Sequence, residues 1–207
     1  MRRTIAYYFS LQSPWAYLGH AAFVKVASDY NCEVIYKPVL LTELFADTGG
    51  LPLANRHPAR QRYRLVELQR WRVRRGLPLH LHPQHWPFNP TLADQLVIAI
   101  AARGYDPDPF LRRAFAAVWE HQLDLSDAPT LARLAEACGL PAAELMAEAG
   151  SEACAAIYRA NHDEATALDV FGAPTYVLDG ELFWGQDRIE LLADALRSGR
   201  EAYRAAP

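Results

Sequence analysis

Residues 7–20 read YYFSLQSPWAYLGH, and the fold turns on how that stretch is divided. Tyr7, Tyr8 and Phe9 are β-prone aromatics that close a strand-like run beginning near Thr4. Ser13 and Pro14 then stand where a helix should begin. Ser is a favoured N-cap, and Pro in the first turn gives up only an N–H that would have no partner there. Trp15, Leu18, Ala22 and Val26 follow on one helical stripe. The stretch therefore predicts a strand, a sharp corner and a helix with Ser13 at its mouth. Such a corner is an ordinary way to start a helix, and it is also a place where free N–H groups meet an anion.

Working outward, EVIYKPV (33–39) reads as a second strand, and a β-α-β unit favours a parallel pair with a right-handed crossover. At the other end, PTYVLDGELFWG (174–185) reads as two short strands about an Asp179-Gly180 turn. QDRIELLADALRSG (186–199) follows as a helix stopping at Gly199. The zone from about 42 to 170 shows almost no strand pattern. Helices are expected near 58–75, 91–104, 108–123, 128–138, 141–149 and 151–170, separated by breakers such as GLPLHLHPQHWPFNP. The terminal pieces are too short to bury a core alone. The order βαβ…ββα thus predicts an α/β, thioredoxin-like fold interrupted by a large all-α insertion. Residues 1–41 and 171–207 would form the thioredoxin-like domain, and 42–170 the inserted helical domain.

Composition narrows the function. In 207 residues, 51% are hydrophobic and the net charge is −3, which argues against a surface that coats nucleic acid. No apolar run is long enough to span a bilayer, and MRRTIAYYFS enters a strand with no signal-peptide core. Cys32, Cys138 and Cys154 are odd in number and widely spaced, which suits a reducing cytoplasm better than a disulfide framework. A cytoplasmic protein without nucleic-acid or membrane partners is expected.

Within a thioredoxin-like unit, the mouth of the first helix is where redox proteins place a Cys-x-x-Cys pair. Here those four positions are Ser13, Pro14, Trp15 and Ala16, so thiol–disulfide exchange by the chain itself is excluded. A hydroxyl and free N–H groups remain, suited to stabilising an external thiolate or another small anion. Ser13 would be a poor nucleophile, since no base adjoins it. Ala173-Pro174 in FGAPTYV is either an edge proline or a cis-proline facing that corner, where the Ala173 backbone would pair with a ligand as an added strand. Gln186 and Asp187 open the last helix, as a favourable dipole arrangement or as a grip on an α-amino-carboxylate. In NRHPARQRYRLVELQRWRVRR (55–75), Arg56, Arg60 and Arg64 recur every four residues; the run is a solvated face or a docking point for an anionic small molecule. His80, His82 and His85 lack companion Cys or carboxylates at ligand spacing, so no metal is expected. Trp86, like Trp71 and Trp119, reads as core or pocket wall.

Taken together, YYFSLQSPWAYL, NRHPARQRYRLVELQRW, FNP and VFGAPTYVLDGELFWGQDRIELL resemble the 2-hydroxychromene-2-carboxylate isomerases, close relatives of the kappa-class glutathione transferases. The resemblance runs through nearly the whole chain in order. It implies glutathione as cofactor, a small anionic aromatic substrate and a homodimer. It also implies that Ser13 bonds the glutathione sulfur, that Ala173 and Pro174 hold the cysteinyl part, and that Gln186 and Asp187 grip the γ-glutamyl end. Asn55 and Arg56 match an Asn-basic pair that contacts substrate or glutathione, and Arg60, Tyr17 and Trp86 are expected to line the substrate. One departure stands out: Ser10 occupies the position where the family has Asp in its Phe-Asp-x-x-Ser-Pro opening.

Overall fold

The structure, a computed structural model, describes residues 2–204. β1 (Thr4–Phe9), α1 (Pro14–Asp29) and β2 (Glu33–Pro38) form the expected β-α-β unit, with β1 and β2 parallel. β3 (Thr175–Leu178) and β4 (Glu181–Trp184) complete a sheet of order β2-β1-β3-β4, in which β3 runs antiparallel to both neighbours. The hairpin turn falls on Asp179 and Gly180, both at positive φ (52° and 82°), the geometry for which Asp-Gly is favoured. α9 (Ile189–Ser198) ends at Gly199, whose left-handed φ of 62° caps it.

Between β2 and β3 run α2 (Leu41–Thr48), α3 (Pro58–Arg75), α4 (Thr91–Ala102), α5 (Asp108–Trp119), α6 (Ala128–Glu136), α7 (Ala142–Ala149) and α8 (Glu152–Ala167). Six of these were expected from the sequence, α3 with both ends in place. α4, α5, α6 and α8 stop earlier than their patterns suggest. After α5 the amides of His121 and Leu123 fold back onto the carbonyls of Ala116 and Ala117, and Gln122 takes a positive φ. α2 was not expected. It begins at Leu41 behind Leu40, with no proline or capping side chain to mark its start, and only Leu41 and Leu44 are buried. Among the described residues two X-Pro bonds are cis: Ala173-Pro174, one of the two alternatives read from the sequence, and Trp86-Pro87, which was not anticipated.

Alternation along β1 covers both faces of the sheet. Tyr7 and Phe9 point toward α1 and stack with each other at 4.7 Å; Phe23 of α1 lies 4.4 Å from Tyr176 of β3. Tyr8 enters a separate apolar cluster with Val39, Leu44, Ala165, Val170 and Val177.

At Gly19, α1 comes close to the segment that leads into α9. A Cβ there would stand 2.6 Å from Gln186 Cβ and 2.9 Å from Tyr176 Oη, with Gln186 itself buried. The helix crossing thus requires a residue without a side chain. Gly19→Ala would ordinarily favour a helix, yet overpacking is expected to destabilise the protein by about 1–3 kcal/mol. Equilibrium urea unfolding checks this; an equal or higher midpoint would show that Gln186 yields freely.

Candidate active site

The corner after β1 is held from three sides. Ser13 N–H closes a turn onto Ser10 C=O at 3.0 Å. Gln12 is fixed through its C=O, which accepts from Trp86 Nε1 at 2.9 Å, and through its side-chain amide, which donates to Phe88 C=O. Beneath, Asp94 of α4 accepts from the Leu11 N–H at 3.2 Å, from Tyr158 Oη at 2.9 Å and from Ser10 Oγ at 3.4 Å. Asp94 is fully buried with no cation beside it. Burial pushes its carboxyl up to about 7, against the lowering pull of the Leu11, Tyr158 and Ser10 donors.

This scaffold presents Ser13, itself 3% exposed, as the N-cap of α1. Its Oγ accepts from Ala16 N–H at 3.2 Å and donates to Ala173 C=O at 3.2 Å, so the two halves of the βαβ…ββα pattern meet at one hydroxyl. The N–H of Ala173 and that of Trp15 make no hydrogen bond among the described residues. A hydroxyl and two open amides at a helix N-terminus make an anion site whose other face can pair with a peptide strand.

Two adjoining cavities open from this point and share Trp15, Phe45, Arg56 and Ala173. The first, about 280 Å³, adds Glu67, Gly172, Trp184 and the Gln186–Arg188 turn. Arg75 donates from Nε (3.2 Å) and Nη2 (3.0 Å) to Gln186 Oε1, which fixes the side chain and leaves its amide N–H groups for a ligand. Asp187 pairs with Arg188 at the cavity's edge. The second cavity, about 410 Å³, is walled by Leu41, Phe45, Leu53, Trp86 and Pro87, with Ser13, Arg56 and Arg64 beside the neutral polar Gln12, Thr42 and Gln61.

The structure therefore gathers Ser13, Arg56, Trp86, Ala173, Gln186 and Asp187 around one cleft. Pro174 stands just behind, its C=O accepting from Gly185 N–H at 2.8 Å. Gln186 and Asp187 lie in a one-turn 3-10 segment ahead of α9 rather than in the helix itself. Three expected substrate residues fall outside the cleft. Tyr17 follows Trp15 by two residues, about 200° round the helix. It faces α5 instead, with its hydroxyl on Glu120 Oε1 at 2.9 Å. Trp15 takes the cleft position. Asn55 is exposed and outside both cavity walls, and so is Arg60. The four-residue arginine spacing was read as one helical face, but α3 starts only at Pro58. Arg56 precedes the helix, fixed by Nε to Leu51 C=O at 2.7 Å.

Sequence reasoning passed over Trp15, Phe45 and Asp94 as site residues. Asp94 carried the only available signal, as the single acid in the apolar helix TLADQLVIAIAA. Cys32, Cys138 and Cys154 line neither cavity. Among the described residues no group of three or more His, Cys, Asp or Glu could hold a metal ion, and no helix is long and apolar enough to cross a membrane.

The model of the DSBA-like thioredoxin domain matches residues 4–197, which sets the class to which this fold and its cysteine-free corner belong. A relative from Sphingobium xenophagum, named 2-hydroxychromene-2-carboxylate isomerase, is 30% identical over 198 residues, covering 95% of this chain and 99% of that protein. A Caenorhabditis elegans protein named glutathione S-transferase kappa 1 is 24% identical, covering 93% and 90%. The solved structure of a 2-hydroxychromene-2-carboxylate isomerase superposes with a TM-score of 0.82 at 25% identity, covering 94% and 95%. The chain belongs to the 2-hydroxychromene-2-carboxylate isomerase family of DSBA-like thioredoxin domains, and it is an enzyme of the isomerase type.

Proposed function

We propose that this enzyme is a glutathione-dependent cis–trans isomerase that converts 2-hydroxychromene-2-carboxylate, or a related aromatic catabolite, to trans-o-hydroxybenzylidenepyruvate. The observation that carries the reading is Ser13: a hydroxyl bonded to Ala173 C=O at the mouth of α1, in a cleft with no thiol of its own. The cleft suits glutathione on chemical grounds. Ala173 offers an unpaired N–H to a peptide carbonyl, Gln186 offers amide N–H groups to a carboxylate, and Asp187 offers a carboxylate to an ammonium group.

When bound, glutathione supplies a thiolate that adds reversibly to the conjugated carbon of the ring-opened substrate, lets the resulting single bond rotate, and leaves. The chain's part is electrostatic and geometric. Ser13 turns its O–H from Ala173 C=O toward the sulfur, and with the Trp15 N–H and the positive end of α1 it favours thiolate over thiol. Trp15, Phe45 and Trp86 hold a planar aromatic body beside that sulfur, and Arg56 places positive charge at the same wall. In this reading residues 1–41 and 171–207 are the thioredoxin-like unit carrying the thiol site. Residues 42–170 are the insertion that supplies the substrate wall, and the enzyme works in the cytoplasm as a homodimer.

The test is turnover of 2-hydroxychromene-2-carboxylate with and without glutathione, with thiol titrated before and after. Conversion that needs glutathione and returns all of it is expected. A stable thioether would instead favour a kappa-like transferase, and tight glutathione binding with neither reaction would mark a binding protein.

A further inference from the structure

We propose that Arg64 is the receptor for the substrate's carboxylate and makes the 410 Å³ cavity selective for planar aromatic anions over their neutral counterparts. The proposal deepens the isomerase reading by naming the group that recognises the substrate class.

The cavity that contains Ser13 has two arginines in its wall, and they differ in what they already hold. Arg56 is engaged with Leu51 C=O and lies 5.4 Å over the Phe45 ring. Arg64, on α3, makes no hydrogen bond and no ion pair among the described residues. Further along that helix the cationic side chains are occupied, Arg70 by Glu67, Arg72 by Leu79 C=O, Arg74 by Glu190 and Arg75 by Gln186, while Arg60 and Arg62, which also make no such contact among the described residues, are exposed and outside the cavity wall. A partly buried guanidinium with no hydrogen-bond partner has lost hydration that an aromatic face replaces only in part. The cost shows in its titration, which burial, and then the Arg56 charge, lower to about 10. An anion in the cavity would offset both effects.

Arg64 is also pre-positioned. Its guanidinium sits 5.2 Å from the centroid of the Trp86 ring, and Trp86 is itself fixed by its bond to Gln12 C=O, one residue from Ser13. The stack leaves the planar fork's N–H groups free to take a carboxylate through two parallel hydrogen bonds. Phe45, Leu41, Leu53 and Pro87 give the wall an apolar stretch that fits an aromatic body; of its neutral polar members Gln12, Thr42 and Gln61, the two amides already donate to backbone carbonyls. An aromatic acid bound in this way lies between a fixed charge and the thiol site, so the charge selects the ligand and sets its reach toward the sulfur.

The test compares trans-o-hydroxybenzylidenepyruvate with its methyl ester as ligands, using tryptophan fluorescence quenching, which does not depend on turnover. The unaltered enzyme is expected to bind the acid at least tenfold more tightly than the ester. Arg64→Met is expected to weaken the acid about 10- to 100-fold, leave the ester unchanged and leave glutathione affinity unchanged. Arg64→Lys, which keeps the charge and loses the fork, is expected to fall between; it also serves if the Met variant does not fold. In steady-state assays the loss should appear in KM more than in kcat. No preference for the acid in the unaltered enzyme, or an undiminished preference in both variants, would overturn the proposal. Preserved acid selectivity in an enzyme without isomerase turnover would support it while sinking the isomerase reading.

Discussion

Ser13→Ala is expected to lower turnover of the chromene carboxylate about 100- to 1000-fold, the range found when one donor to a developing or held anion is removed. The folded state should lose only about 1 kcal/mol, since the N-cap bond to Ala16 N–H is the principal structural contribution of that side chain. The two effects separate because the hydroxyl has two faces. One accepts from the helix, and the other donates to Ala173 C=O and would be redirected to sulfur when glutathione binds. Losing the donor also removes thiolate stabilisation, so the pKa of bound glutathione, followed by thiolate absorbance, should rise toward that of the free thiol. The pH at which the residual activity reaches half its maximum should rise with it. Glutathione affinity at low pH, where the thiol form binds, should change little, because Ala173, Gln186 and Asp187 remain; at high pH it should fall by the factor that the pKa rise implies. Unchanged turnover, or an unchanged thiol pKa in the complex, would remove Ser13 from the mechanism.

The parts of the fold that rest on periodicity were legible in the sequence. Short β-prone runs flank a period-3.6 run at the N-terminus, and the Asp179-Gly180 turn marks the C-terminal hairpin, so the order βαβ…ββα could be read from the sequence. What could not be read depends on where an element begins or on what it meets. Arg56 and Arg64 looked like one face until the helix start at Pro58 separated them, and Tyr17 looked like cleft until the helix angle turned it to Glu120. Gly19 gives no local sign that Gln186, far along the chain, will lie against it. Ser10 is the instructive case. Its sequence suggests a lost carboxylate, and the structure brings one from α4, 84 residues away, to the same turn. The corner is therefore addressed by a carboxyl in this chain too, through Asp94.

That buried carboxyl should govern how stability responds to pH. The folded state holds the Asp94 proton up to about pH 7, whereas the unfolded chain gives it up near the usual carboxylate value of 3.8. Between those values folding takes up a proton, so the Asp94 contribution to stability falls as pH rises through the window and levels off above 7. The groups facing Asp94 do not reverse the sign. Tyr158 from α8 stays protonated, Ser10 and Leu11 are neutral donors, and Glu43 of α2, which acts on Tyr158, adds a like charge. Asp108, Glu164 and Glu181, whose carboxyls are held low, act oppositely at more acidic pH, so the difference between two proteins is the cleaner measure. The stability of the unaltered protein minus that of Asp94→Asn should decline by a few kcal/mol, to order of magnitude, between about pH 4 and pH 7. Parallel curves from denaturant unfolding at several pH values would show that the carboxyl is not titrating in the folded state. Asp94→Ala should be worse at every pH, by about 3–5 kcal/mol. It strands the Leu11 N–H and the hydroxyls of Ser10 and Tyr158 in a buried site, and each buried donor left unpaired costs about 1–3 kcal/mol. Because the Leu11 amide is the anchor two residues before Ser13, that variant should also lose activity beyond its loss of folded protein. A kcat that tracks only the folded fraction would reduce Asp94 to a core residue with no hold on the catalytic corner.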